Sequence, residues 1–170
     1  MPAPDYILSL RKKIGNDLLF VPSASVLIFD KNNRVLLVRA KESCRWQTVG
    51  GLVDPFEAPS DAAVRECWEE TGLFVRLTGL AGVFGGPAFE ATYPNGDRSA
   101  FVNTTFFGEI ISGEAEPDQV EIDEIGWFAD NDMPDLKASA ATKIIVGEGF
   151  RSRRSPYFTP PTWSPDLHGR

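Results

Sequence analysis

Residues 51–73 read GLVDPFEAPSDAAVRECWEETGL, and an α-helix through the second half of this stretch gathers three carboxylates on one face. Each helical residue turns about 100°, so positions three and four apart share a side. Taking Glu66 as zero, Glu69 lies roughly 60° to one side and Glu70 roughly 40° to the other. Val64, Cys67, Trp68 and Thr71 point the opposite way, which predicts an apolar stripe seating the helix on a sheet. Ala62 and Ala63 fall one turn earlier on the acidic side, small enough for a loop or ligand to come close. Arg65 is one turn before Glu69, in reach of an i,i+4 contact with it. Pro59 suits the first helical position. Ala58 precedes it where Ser, Thr or Asp would cap, and the missing cap should cost about 1 kcal/mol.

Three glutamates on a helix are ordinarily a solvated face. Here Gly51, Glu57 and Arg65 stand at fixed distances before them, and close carboxylates raise one another's pKa values unless a cation neutralises them. A metal ion would relieve that repulsion, and its binding should depend on pH.

The segment resembles, position by position, the signature of the Nudix hydrolases: G, five residues, E, seven residues, R-E, an apolar residue, any residue, E-E, any residue, G, apolar. Gly51, Glu57, Arg65, Glu66, Glu69, Glu70, Gly72 and Leu73 fit. Cys67 stands where the family usually has an aliphatic residue, and a buried thiol behaves as a small hydrophobe. Upstream, Trp46 to Gly50 resembles the family's approach to this box, although a proline often found there is replaced by Val49.

The resemblance implies an α/β protein, an α/β/α sandwich with a mixed β-sheet between helices. It implies a hydrolase acting on the diphosphate linkage of a nucleoside diphosphate joined to another group, ADP-ribose-like compounds and nucleoside triphosphates being the leading substrates. Glu57, Glu66, Glu69 and Glu70, with the Gly50 carbonyl, would hold Mg²⁺ or Mn²⁺, hard cations suited to oxygen ligands. Arg65 would hold Glu69 in place, and a nearby glutamate would remove a proton from the attacking water. The family draws a further acidic residue from the region of Glu121 and Glu124. Trp46, Phe89 and Tyr93 are aromatic candidates for stacking on a base, and Asp97 joins Tyr93 because YPNGD segments occur among Nudix sequences. Two competing readings share the fold. A nucleotide-sensing module without turnover is disfavoured by the complete acidic set, and a diphosphate isomerase by the absence of suitable histidines and the different context of Cys44.

The 170 residues, 42% hydrophobic, suit one domain with a sizeable core. A formal net charge of −7 argues against a broad nucleic-acid surface, which needs clustered Lys and Arg. The small-molecule substrate is therefore the expected partner, and a homodimer is only a general expectation for such proteins. Cys44 and Cys67, one in a loop and one on the helix, point to a reduced, cytoplasmic protein. Charged residues interrupt the N-terminal apolar stretch and no run is long enough for a membrane span, so neither export nor a membrane is expected.

Around the box, residues 1–17 form an N-terminal segment in which Tyr6, Ile7, Leu10 and Ile14 mark a short amphipathic helix ended by Gly15. Residues 18–148 form the main domain. Within it, 18–29 and 34–38 flank the turn at 30–33 as an expected hairpin, 73–84 and 99–111 read as strands, 121–128 alternates as another, and 137–146 reads as a helix. Asn95-Gly96 is a tight-turn signal. From 149 to 170 arginines, prolines and aromatics predict a tail without regular structure. His168, near the chain end, is not expected to be catalytic, and no G-x-x-x-x-G-K-[ST] phosphate loop is present.

Overall fold

The computed structural model describes residues 4–133 and 136–163; His168 lies outside them. The chain runs α1 (Asp5–Ile14), β1 (Leu19–Ile28), β2 (Val35–Ala40), β3 (Arg45–Gln47), β4 (Val49–Leu52), α2 (Pro59–Thr71), β5 (Phe74–Phe84), β6 (Glu90–Thr92), β7 (Arg98–Ser112), β8 (Ile122–Phe128), α3 (Ala140–Arg151) and β9 (Tyr157–Phe158). The larger sheet has the order β4-β1-β7-β5-β9, with β6 paired to β7, and the smaller has the order β3-β2-β8.

The apolar runs Val26-Leu27-Ile28 and Val35 to Val38 are buried on both sides, as strands between two layers must be. Val26, Ile28, Leu36 and Val38 share one core cluster with Cys67 of α2. Leu27, Val35 and Leu37 share another with Ile145 and Val146 of α3. Alternate residues along each strand thus face opposite helices, and the α/β/α sandwich follows from the period of two.

The expected 18–38 hairpin forms only at its root. Phe29 and Val35 make an isolated bridge, beyond which the strands part into different sheets. The turn is tight because Asp30 accepts hydrogen bonds from the backbone N–H groups of Asn32 and Arg34 and from Arg34 Nε. β1 then runs parallel to β7, from Leu19 opposite Ser99 to Ile28 opposite Gly108, and antiparallel to β4. A hydrophobic strand with two buried faces gains more from two central neighbours than from one hairpin partner.

The Asn95-Gly96 turn is confirmed: Gly96, at φ 89°, donates its N–H to Tyr93 O, and Tyr93 N–H bonds Asp97 O. α3 begins later than the sequence suggests, where the Ser139 hydroxyl accepts from Thr142 N–H, a cap that the apolar periodicity does not show. The C-terminal stretch is not wholly irregular, since Tyr157 and Phe158 pair with Gly82 and Val83 of β5 and Tyr157 stacks on Phe84 at 5.1 Å. No described helix is long and apolar enough to cross a membrane.

Candidate active site

α2 starts at Pro59 after an extended Ala58 with no side-chain cap, and stops at Gly72, whose φ of 68° lets its N–H reach Trp68 O. Its roll on the sheet differs from the apolar-stripe expectation. Ala62, Ala63, Cys67, Glu70 and Thr71 are buried, while Trp68 is 55% exposed. The two alanines pack with Ala24 and Val53, so their small size lets the helix, rather than a ligand, come close. The roll carries the acidic face partly into the protein, against β4.

Gly51 makes this approach feasible. A Cβ there would sit 2.5 Å from the Glu66 carboxyl carbon, well inside van der Waals contact. Gly50, at φ 146°, donates its N–H to Glu70 Oε2 at 2.9 Å. Glu70 is 5% exposed, and burial, reinforced by the negative charges of Glu66 and Asp118, pushes its pKa up to about 8 against the Gly50 hydrogen bond. Burial also raises Glu66.

Arg65 is the hub. Its Nε and Nη2 donate to the two oxygens of Glu57 at 2.8 and 2.9 Å, and Nη2 also reaches Leu52 O. Nη1 donates to Glu66 Oε1 at 2.9 Å and Glu69 Oε2 at 3.1 Å. The expected Arg65–Glu69 contact is present, but the stronger commitment is to Glu57, whose pKa the guanidinium lowers. Glu57 Oε2 also accepts from Asp54 N–H. Both oxygens of Glu57 are therefore engaged in tying the loop before α2 to the helix.

The donor set contains only oxygen, the chemistry that Mg²⁺ and Mn²⁺ favour. Among the described residues no group of three His, Cys, Asp or Glu side chains closes into a ready cage, because Arg65 lies among Glu57, Glu66 and Glu69. The charge balance nonetheless favours a cation: a buried Glu70 and a half-buried Glu66 are both pushed toward protonation where one positive charge more would ionise them. The residues fit a divalent ion in ligand type and in charge.

The remaining sequence candidates scatter. Glu124 is ion-paired with Arg39 across β2 and β8 at 2.6 Å. Glu121 lies just before β8, with Oε1 shielded from solvent and its N–H bonded to Asp118 Oδ1. Asp118 went unrecognised in the sequence. Its Oδ1 gathers the N–H groups of Val120, Glu121 and Ile122, and its charge reaches Glu70, so this turn adjoins the helix. Nothing in the polar stretch around it distinguishes Asp118 from its acidic neighbours.

Trp46 is half-buried edge-on against Phe128 at 4.6 Å. Phe89 is corrected to a core residue: it is 6% exposed and stacks on Phe84, leaving no face for a base. Tyr93 and Asp97 form their turn, and Asp97 lies 3.6 Å from Arg11 of α1; their described contacts run to α1 and not to α2.

A family model described as NUDIX domain matches residues 19–146. A putative 8-oxo-dGTP diphosphatase of Bacillus subtilis is 33% identical over 116 residues, covering 68% of this chain and 71% of that protein. An ADP-ribose pyrophosphatase of Methanocaldococcus jannaschii is 30% identical over 113 residues, covering 64% of this chain but only 62% of its own length. An NAD-capped RNA hydrolase of Pseudomonas fluorescens is 27% identical, with 82% of this chain matching 47% of that protein. Among solved structures, a MutT NUDIX hydrolase from Burkholderia pseudomallei superposes with a TM-score of 0.63 at 26% identity, over 76% of this chain and 97% of that one. The MutT protein from Methanosarcina mazei Go1 gives 0.66 at 20% identity, over 82% and 99%, a likeness of fold.

Proposed function

The chain belongs to the Nudix hydrolase family, and from that membership and the carboxylate cluster on α2 we propose that it hydrolyses, with Mg²⁺ or Mn²⁺, a diphosphate bond in a nucleoside diphosphate linked to another group. The observation that carries the reading is the set Glu66, Glu69 and Glu70 on one helix face, the first two braced by Arg65 and the third by Gly50 N–H. The relatives' names, one for a nucleoside triphosphate and one for ADP-ribose, support either substrate class.

Glu66 and Glu70, with Glu69 and the Gly50 carbonyl, would hold the ion, which when bound neutralises phosphate oxygens and acidifies a water. Glu57 has a different part in this reading. Its paired bonds to Arg65 fix the loop that faces the helix, and Arg65 in turn orients Glu66 and Glu69. Glu69 takes the proton from the attacking water, since its side chain is 35% exposed against 13% for Glu66 and Glu70 is buried. Glu121, tied through its backbone N–H to Asp118, is the candidate for a further acidic group from this region, while Glu124 serves the Arg39 ion pair.

Hydrolysis of a panel of nucleoside triphosphates, ADP-ribose, NADH and nucleotide sugars, with Mg²⁺, Mn²⁺ or excess chelator, tests the proposal. Cleavage of one class is expected with metal and not with chelator. Glu69→Gln should lower kcat by about 10² to 10⁴ with the melting temperature little changed. Full turnover in that variant, or in chelator, would overturn the assignment.

A further inference from the structure

The sheet face turned away from α2 holds a groove of about 490 Å³, a size usual for small-molecule sites. Its lining mixes apolar side chains, Phe29 from the β1 side, Leu80 from β5 and Phe107 from β7, with the polar groups of Thr78, Glu109 and two arginines. The register of β5 against β7 shifts between Leu77 and Gly79 and again between Leu80 and Gly82, and such bulges bend a strand away from its neighbours. The segment 152–156, leading from α3 to β9, passes along the groove and contributes Arg153 and Arg154.

Among the described residues Arg153 is held without a counter-charge. Its guanidinium carbon stands 3.7 Å from the centre of the Phe29 ring, and Nη2 donates to the side-chain oxygen of Asn33. Both partners are neutral, and partial desolvation lowers the pKa of this arginine although the residue as a whole is exposed. Neither arginine is ion-paired to a carboxylate among the described residues. Glu109, at the groove's rim, is bonded instead to Arg76 at 2.8 Å. Arg153 and Arg154 are both exposed, so the groove offers two solvent-accessible cations to an anion in a chain whose net charge is −7. The pre-set fork of Arg153, oriented by stacking and by Asn33, has lost its freedom before any ligand arrives.

We propose that this groove binds a phosphomonoester carried on an aromatic or apolar body, Arg153 and Arg154 holding the phosphate and Leu80 and Phe107 the body. A dianion matches two guanidinium groups where a carboxylate matches one, and guanidinium bonds phosphate oxygens in pairs. Leu80 and Phe107 give an organic phosphate apolar contact that a bare inorganic ion cannot make. No residue of the groove belongs to the α2 cluster, so the site stands independently of the proposed hydrolysis.

Calorimetric titration of phenyl phosphate into the full chain, in excess chelator, tests this. Saturable binding at one site is expected, weakened about tenfold or more by Arg154→Gln or Arg153→Gln, with inorganic phosphate binding about tenfold more weakly than phenyl phosphate. The described hydrogen bond of Arg154 uses its backbone N–H, so Arg154→Gln leaves the fold unchanged, as a thermal melt would verify. Glu69→Gln should bind phenyl phosphate as the parent does. No saturable binding up to about 10 mM, affinity indifferent to both arginine substitutions, or affinity lost in Glu69→Gln would overturn the proposal.

Discussion

At the scale of single residues, the α2 site is governed by buried charge. Glu70 ionises near its ordinary 4.5 in an unfolded chain but near 8 in the metal-free fold. Below about pH 4.5 both states keep the proton. As pH rises from there toward 8, the unfolded chain releases its proton and the folded one retains it, so metal-free stability falls across that window and levels off above it. The raised pKa of Glu66 acts in the same direction. Glu70→Gln should flatten the decline of melting temperature between pH 5 and 8, an effect on the order of a few kcal/mol; an unchanged slope would contradict the burial argument. Phe56, next to Glu57, shows a different stress: its φ is 71° and its side chain is fully exposed. Bulky residues rarely adopt that backbone, and no buried area would be lost on replacement. Phe56→Gly should raise stability by about 1 kcal/mol, measured by urea denaturation.

Among the elements, α2 shows how far local pattern reaches. The box spacing marks the helix and its proline start, and both are found, with Gly72 ending the helix in the left-handed region. The uncapped Ala58 is also as read from the sequence, extended and without a side-chain bond. Ala58→Asp should therefore supply the missing acceptor and favour the helix N-terminus, adding about 0.5–1 kcal/mol; no rise in the denaturation midpoint would mean that the first turn is held by packing alone. The helix roll was not legible. Trp68 and Glu70 exchange their expected surroundings because Gly50 and Gly51 admit the carboxyl side of the helix more closely than any apolar side chain could be seated. Amphipathic pattern counts side-chain polarity, and it cannot register space that two glycines leave on another strand.

In the whole molecule, the N-terminal helix ties distant loops together. Tyr6 donates its hydroxyl to Val53 O in the stretch leading to Glu57, and Arg11 reaches Arg98 O and Ser99 Oγ beside the 93–97 turn. Arg11→Ala should cost about 1–2 kcal/mol and speed amide exchange at residues 93–99; exchange unaltered there would show that the hairpin holds itself. The groove on the far face is likewise a product of assembly, since its floor comes from three strands and its arginines from the chain leaving α3. In the sequence those arginines are only a charge cluster near the end.

The sequence by itself determined the acidic helix, the Arg65–Glu69 contact, the family and the layered α/β class, because all of these rest on spacings within the single segment 51–73 or on alternation along one strand. The tertiary structure alone decided that β1 lies parallel to β7 rather than in a hairpin with β2, that the charge of Asp118 bears on Glu70, and that Phe89 belongs to the core. Those outcomes join residues far apart in the chain, and they follow from which buried faces and backbone hydrogen bonds can be satisfied together, a condition that no single segment carries.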